Sequence, residues 1–112
     1  MTPDRGDLVW VEFNPQSGHE QAGRLRRRPA VVISPAAYNA LSNCILVCPI
    51  TSNRSPWAWK VLLPDEAAIT GAVLVDQIKA IDAKARRLTP AGHRLTPPLL
   101  AEVLARLATL TG

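Results

Sequence analysis

Four arginines fall within five positions, Arg24, Arg26, Arg27 and Arg28, immediately before Pro29 and the apolar run Ala30-Val31-Val32-Ile33. Burying several unpaired charges costs many kcal/mol, so these groups must face water or an anion. A solvated loop satisfies that condition, and so does a phosphate clamp. Arginine suits the clamp because its planar fork donates two parallel bonds to phosphate oxygens. Arg28 adjoins the apolar run, so its backbone is expected to be fixed while the other three ride a loop, and preorganised groups belong on rigid elements. His19 and Glu20 lie at the other end of the same segment. Either can accept a proton near neutral pH, and an arginine can stabilise charge developing on phosphate. Exposed polar residues with no such role would read the same way. Thr51 and Ser52 offer hydroxyl donors or form a plain turn. Asp76, followed by Gln77, interrupts an apolar stretch and needs a partner if buried. Trp57 and Trp59 are two apart and would share one face of a strand, either packed in the core or offered as a base-stacking platform.

These side chains need a scaffold. Residues 8–13 alternate, with Val9, Val11 and Phe13 on one face and Leu8, Trp10 and Glu12 on the other. Turn residues 14–18 end that strand. Further strands are expected at 30–34, with Pro29 at the strand start, and at 43–50, 57–63 and 71–82, with a short one near 85–88. Ser34 as N-cap and Pro35 at the first helical position open a short helix after strand two. Near the C-terminus Thr96 caps, Pro97 takes the first helical position, and Leu99, Leu100, Val103, Leu104, Leu107 and Leu110 recur at amphipathic-helix spacing. Glu102 and Arg106 form an i, i+4 pair in the favoured order. Several short strands and one closing helix predict a single mainly-β domain over 1–112, a small antiparallel barrel whose closure removes its sheet edges.

The composition narrows the partners. The chain has 112 residues, 47% of them hydrophobic, with 13 basic and 9 acidic side chains for a net charge of +4. That length supports one domain with a real core. The positive balance suits nucleic acid, an anionic membrane surface or an acidic protein, and is also common among small soluble proteins. Cys44 and Cys48 lie in the apolar run Cys44-Ile45-Leu46-Val47-Cys48. Four residues along a strand span about 13 Å, beyond disulfide reach, so both read as reduced and buried, in a cytoplasmic protein. Two cysteines and two histidines show no metal-ligand spacing, and no metal or cofactor is expected. The opening MTPDRGDLVW has no apolar signal region, and no apolar run approaches the ~18 residues a membrane helix needs.

Taken together, four stretches resemble the MazF/PemK family of toxin endoribonucleases: GDLVWVEFNP at 6–15, GHEQAGRLRRRPAVVISPAAYN at 18–39, CPITS at 48–52 and GAVLVDQIKAIDAKAR at 71–86. The likeness continues through PPLLAEVLARLATLTG at 97–112 and so covers nearly the whole chain. It implies an SH3-like barrel with a C-terminal helix, working as a homodimer. It also implies metal-independent cleavage of single-stranded RNA at short sequences, such as an ACA-type motif, by attack of the ribose 2′-OH. The products would carry a 2′,3′-cyclic phosphate and a 5′-OH. A cognate acidic antitoxin would neutralise the activity.

By resemblance, Arg28 stabilises charge and assists the leaving group, Thr51 holds the scissile phosphate, and Glu20 is the base or its helper. His19 and Asp76 match residues with acid/base roles in a second branch. That branch has an arginine two residues before the aspartate, where Leu74 stands here, which favours Arg28 with Glu20. RNA binding is expected from Arg24, Arg26, Arg27, Gln21, Ser52, Arg54, Trp57, Gln77, Lys79 and Arg86. The loop is about three residues longer than in typical relatives, among Arg24 to Arg27. The alternative is a non-catalytic RNA- or protein-binding toxin on the same barrel. The gyrase-poison version is disfavoured because those proteins end in a Trp-Gly-Ile-like tripeptide and this chain ends Leu110-Thr111-Gly112.

Overall fold

The computed structural model describes residues 2–12 and 27–112. Along the chain come β1 (Asp7–Glu12), β2 (Arg27–Val32), α1 (Ala36–Leu41), β3 (Cys44–Thr51), β4 (Lys60–Leu62), β5 (Ala72–Leu74), a 3-10 turn (Val75–Gln77), β6 (Lys79–Asp82), β7 (Thr89–Arg94) and α2 (Pro97–Thr111). Every strand pair is antiparallel. The sheet runs β4-β5-β3-β2-β1-β7, with β6 on β3. The mainly-β fold, the short helix and the C-terminal helix stand as expected. Closure does not: among the described residues β4 and β7 end the path without pairing.

The central strands are buried on both faces, which is why β2 and β3 read as continuous apolar runs. Leu8, Val31, Cys48 and Ile50 pack with Val61, Val73 and Val103 on one side. Val9, Val11, Ala30, Val32, Val47 and Ile81 pack on the other. The alternation expected of the first strand therefore holds within β1. Leu99, Leu100, Leu104 and Leu107 lay α2 onto the first cluster, while Leu110 stays 47% exposed. Thr96 is the N-cap, yet its side chain makes no capping bond. A cap hydroxyl serves the N–H of the second or third helical residue, and Pro98 removes one of those donors.

Several boundaries differ from the sequence reading. Strand two starts at Arg27, so Pro29 lies inside β2 rather than at its start. It is tolerated because the β2–β3 ladder ends at Ala30↔Pro49, leaving only β1 beside it. Ser34 does not cap α1, whose N-cap is Pro35. Its hydroxyl donates to Asn39 Oδ1 at 2.5 Å and accepts the Leu46 N–H. Asp4 Oδ1 takes the Ala36 N–H instead, at 2.8 Å. That bond and the Arg5 N–H hold the Asp4 carboxyl below its ordinary pKa. Strand four shrinks to β4, and residues 85–88 form a turn leading into β7. β7 has no apolar alternation. Its pairing with β1 and the Arg94–Asp7 ion pair secure it.

The expected strand at 71–82 is two strands and a turn. Between the pairs Ile50↔Val73 and Val47↔Lys79, β3 advances three residues and its partner six. The surplus is the 3-10 turn Val75–Gln77, a long bulge that carries Asp76 and Gln77 out of the ladder. Gly71 launches this segment at φ +115°, and a Cβ there would stand 2.2 Å from the Thr51 carbonyl oxygen. Gly71→Ala is therefore expected to cost at least about 2 kcal/mol, from left-handed strain plus a backbone clash. Urea unfolding of the variant checks this, and a loss under about 0.5 kcal/mol would refute it.

Candidate functional site

The bulge, the end of β2 and the turn before β7 converge on one cleft. Arg28, Pro49, Leu74, Gln77, Lys79, Ala80, Ile81 and Arg86 line a cavity of about 330 Å³. Among the described residues that line it, three cations and one amide stand over an apolar floor. Such a surface attracts an anion with a flat apolar part, and the guanidinium forks can grip phosphate from two sides.

Arg28 reaches the cleft because it shares the face of Ala30 and Val32 on β2 and is the register partner of Val11. The β2–β3 ladder stops at Ala30↔Pro49, two residues short of Arg28 on β2 and of Thr51 on β3, and Thr51 is not among the residues lining the cleft. Thr51 itself pairs with Ala72 of β5, and its Oγ1 accepts the Asn53 N–H at 3.1 Å. Arg27 was expected on the loop but belongs to β2 as the partner of Glu12. Its Nη2 donates to Thr89 Oγ1 at 2.6 Å. Rigidity therefore does not separate Arg28 from Arg27. The face does: alternation turns Arg28 toward the cleft and Arg27 toward β7.

Of the other expected residues, Gln77, Lys79 and Arg86 line the cleft. His19, Glu20, Gln21, Arg24 and Arg26 lie outside the described residues. Ser52 is exposed in the loop after β3. Arg54 Nη1 donates to the carbonyls of Leu63 and Gly71, at 3.0 and 3.2 Å, so it braces the chain on either side of residues 64–70. Trp57 lies in the loop rather than on β4, and its indole N–H reaches Asp76 at 3.0 Å. The partner required for Asp76 exists, although Asp76 is exposed. Sequence reasoning missed Lys60, whose Nζ donates to the carbonyls of Asn53 and Ser55 and fixes the loop after Thr51. A lysine opening a short strand gives no such signal.

A profile of the family described as "PemK-like, MazF-like toxin of type II toxin-antitoxin system" matches residues 4–111. The chain belongs to the PemK/MazF toxin family. It is 39% identical to the endoribonuclease toxin MazF of Escherichia coli K12 over 110 residues, covering 98% of this chain and 95% of that protein. The endoribonuclease toxin ChpB of the same organism is 45% identical over 87 residues, 74% of this chain and 72% of ChpB. Among solved structures, MazF from Deinococcus radiodurans superposes with a TM-score of 0.84 at 39% identity, covering 100% of this chain and 98% of that one. MazF from a MazE–MazF complex of that organism gives 0.83 at 36%, covering 100% and 97%.

One nucleophile beside this PemK/MazF-type cleft is silenced. Cys48 lies under the bulge, fully buried, and its thiol is pushed up to about 12, first by burial and then by the Asp76 charge. Cys44 is only half-buried, contrary to the expectation of two buried cysteines. Iodoacetamide at pH 8 is expected to label Cys44 alone, with Cys48 reacting only after denaturation. The raised folded pKa also gives Cys48 a sign in stability. Above pH ~9 the unfolded thiol ionises while the folded one keeps its proton, so stability falls as pH rises toward 12. In Cys48→Ala that part of the alkaline loss disappears, which denaturation between pH 8 and 11 measures.

Proposed function

We propose that this chain is the endoribonuclease toxin of a type II toxin–antitoxin pair, acting on single-stranded RNA in the cytoplasm to block translation and growth. The observation that carries the reading is the cleft that, among the described residues, Arg28, Lys79, Arg86 and Gln77 line in a chain of this family. RNA is the anion that such a cleft suits, because its phosphates meet the cations and its bases meet apolar surface.

In the proposed reaction Glu20 takes the proton of a ribose 2′-OH, with His19 in support. The 2′ oxygen bonds to the adjacent phosphorus as the P–O5′ bond breaks. The products are a 2′,3′-cyclic phosphate and a 5′-OH. Arg28 donates hydrogen bonds to the phosphorane and the departing oxygen, which then takes a proton from water. Thr51, at the end of β3, holds the phosphate. Arg24, Arg26, Lys79, Arg86, Gln21 and Gln77 bind the RNA around them. Arg27, held by Thr89, contributes charge from the opposite face. The toxin works as a two-fold dimer, and an acidic antitoxin segment silences it by occupying the basic cleft, with apolar anchors supplying affinity.

The test is purified protein with single-stranded RNA in EDTA, with product ends mapped. Defined cuts bearing cyclic phosphates are expected, and bound but intact RNA would overturn the reading. Arg28→Ala is expected to lower single-turnover cleavage about 10²- to 10⁴-fold at saturating RNA. Lys79→Ala and Arg86→Ala should mainly weaken binding and flatten its salt dependence by about 0.7 log units per lost contact. Arg27→Ala should leave the chemical step intact. Equal loss of the chemical step in Arg27→Ala and Arg28→Ala would contradict the division by face.

A further inference from the structure

Trp57 is a large apolar side chain left 52% exposed, yet it is held at two points. Its indole N–H donates to Asp76 Oδ2 at 3.0 Å. Its ring meets Trp59 edge-on, with centroids 5.4 Å apart and planes at 60°. Trp59 is anchored in turn, its N–H on Thr109 Oγ1 of α2 at 2.9 Å. The loop that carries Trp57 is pinned by Lys60 on one side, and Arg106 donates to the Ala58 carbonyl on the other. A tryptophan with no ligand to meet gains by burying its ring. One that is exposed and immobilised has lost the entropy that would oppose stacking.

We infer that Trp57 is a stacking subsite for an RNA base, and that Asp76 is the positioning residue that holds its ring rather than an acid or base of the reaction. The inference rests on the endoribonuclease reading. Trp57 lines a separate depression with Lys60, Leu62, Glu102 and Arg106, and the bulge links that depression to the cleft. Asp76 and Gln77 are consecutive on the bulge, with Gln77 lining the cleft while Asp76 turns to the indole. The loop bearing Trp57 starts from Thr51 at the end of β3, the strand that pairs with β2 up to Ala30. On this inference, a single strand whose phosphate lies between Arg28 and Lys79 runs past the bulge and lays a flanking base on Trp57. Stacking tolerates any base, so this subsite sets how much RNA flanking the cut is needed rather than its sequence. The carboxylate of Asp76 is committed to the indole N–H, and its remaining surface faces solvent rather than the cleft.

The experiment uses the full-length protein and an oligoribonucleotide spanning a mapped cut, with kcat and KM separated and pH–rate profiles recorded. Trp57→Ala should raise KM about 5- to 150-fold with kcat nearly unchanged, the range for one lost base stack. Trp57→Phe, which keeps a ring but cannot reach Asp76, should fall between. Asp76→Ala should raise KM like Trp57→Ala, and the double variant should add little to either single one. Asp76→Asn retains an oxygen that accepts the indole N–H, so it should restore kcat/KM to within about five-fold of wild type with an unshifted pH profile. An abasic site at the flanking position in the RNA should erase the difference between wild type and Trp57→Ala. A collapse of kcat in Asp76→Asn would make Asp76 an acid or base and overturn the inference. So would an unchanged KM in Trp57→Ala, including the case where that variant instead loses dimerisation or antitoxin binding. Melting curves establish that each variant folds. If wild type itself leaves RNA intact, the endoribonuclease reading fails, which separates the two outcomes.

Discussion

Strand β3 is the constraint on which the rest depends. One edge takes β2 and the other must serve both β5 and β6. A single straight partner would have kept residues 71–82 flat against β3. The chain instead leaves the ladder for one 3-10 turn and rejoins it three residues out of step. That turn pushes Gln77 over the cleft and Asp76 toward Trp57, while Val75 plugs the core beneath it. Cys48, under the turn, accommodates the bulge as a small apolar filler and donates weakly to the Val75 carbonyl.

The same arrangement explains the distribution of charge. Several carboxylates among the described residues are engaged outside the cleft lining. Asp7 pairs with Arg94, Glu102 with Arg106, and Asp76 accepts from an indole. Arginines outside the cleft brace backbone: Arg5 reaches the Ile33 carbonyl, Arg54 two carbonyls, and Arg106 the loop before β4. A net charge of +4 thus acts locally. Salt bridges at such exposed positions add little to stability. Their value here lies in fixing loops and in leaving one face positive.

Membership of the PemK/MazF family fits a fold whose apolar framework and whose cleft use different residues. The framework is β-branched and aliphatic on both sheet faces, with α2 sealing one of them. The cleft is built at the end of that framework, where the β2–β3 ladder has run out at two prolines. Backbone groups and side chains at a ladder's end are free to meet a ligand, whereas those inside it are consumed by pairing.

The sequence by itself determined the elements whose signal is local. The apolar runs of β2 and β3, the alternation in β1 and the leucine spacing of α2 were legible because burial imposes a short period. Arg28, Thr51, Lys79 and Arg86 could be singled out as residue types suited to phosphate, helped by motifs spread along the chain, and all but Thr51 line the cleft. What only the tertiary structure decided depends on partners far away in sequence. Whether Arg27 is loop or strand turns on Glu12 and on Thr89, 62 positions later. β7, exposed and without apolar pattern, exists because β1 offers it an edge. The break at Val75–Gln77 follows from two registers on one strand, and alternation through Val73, Val75 and Gln77 conceals it. Trp57 and Asp76 meet across 19 positions for the same reason. Period and composition report which face a residue prefers, and register between distant strands decides which face it receives.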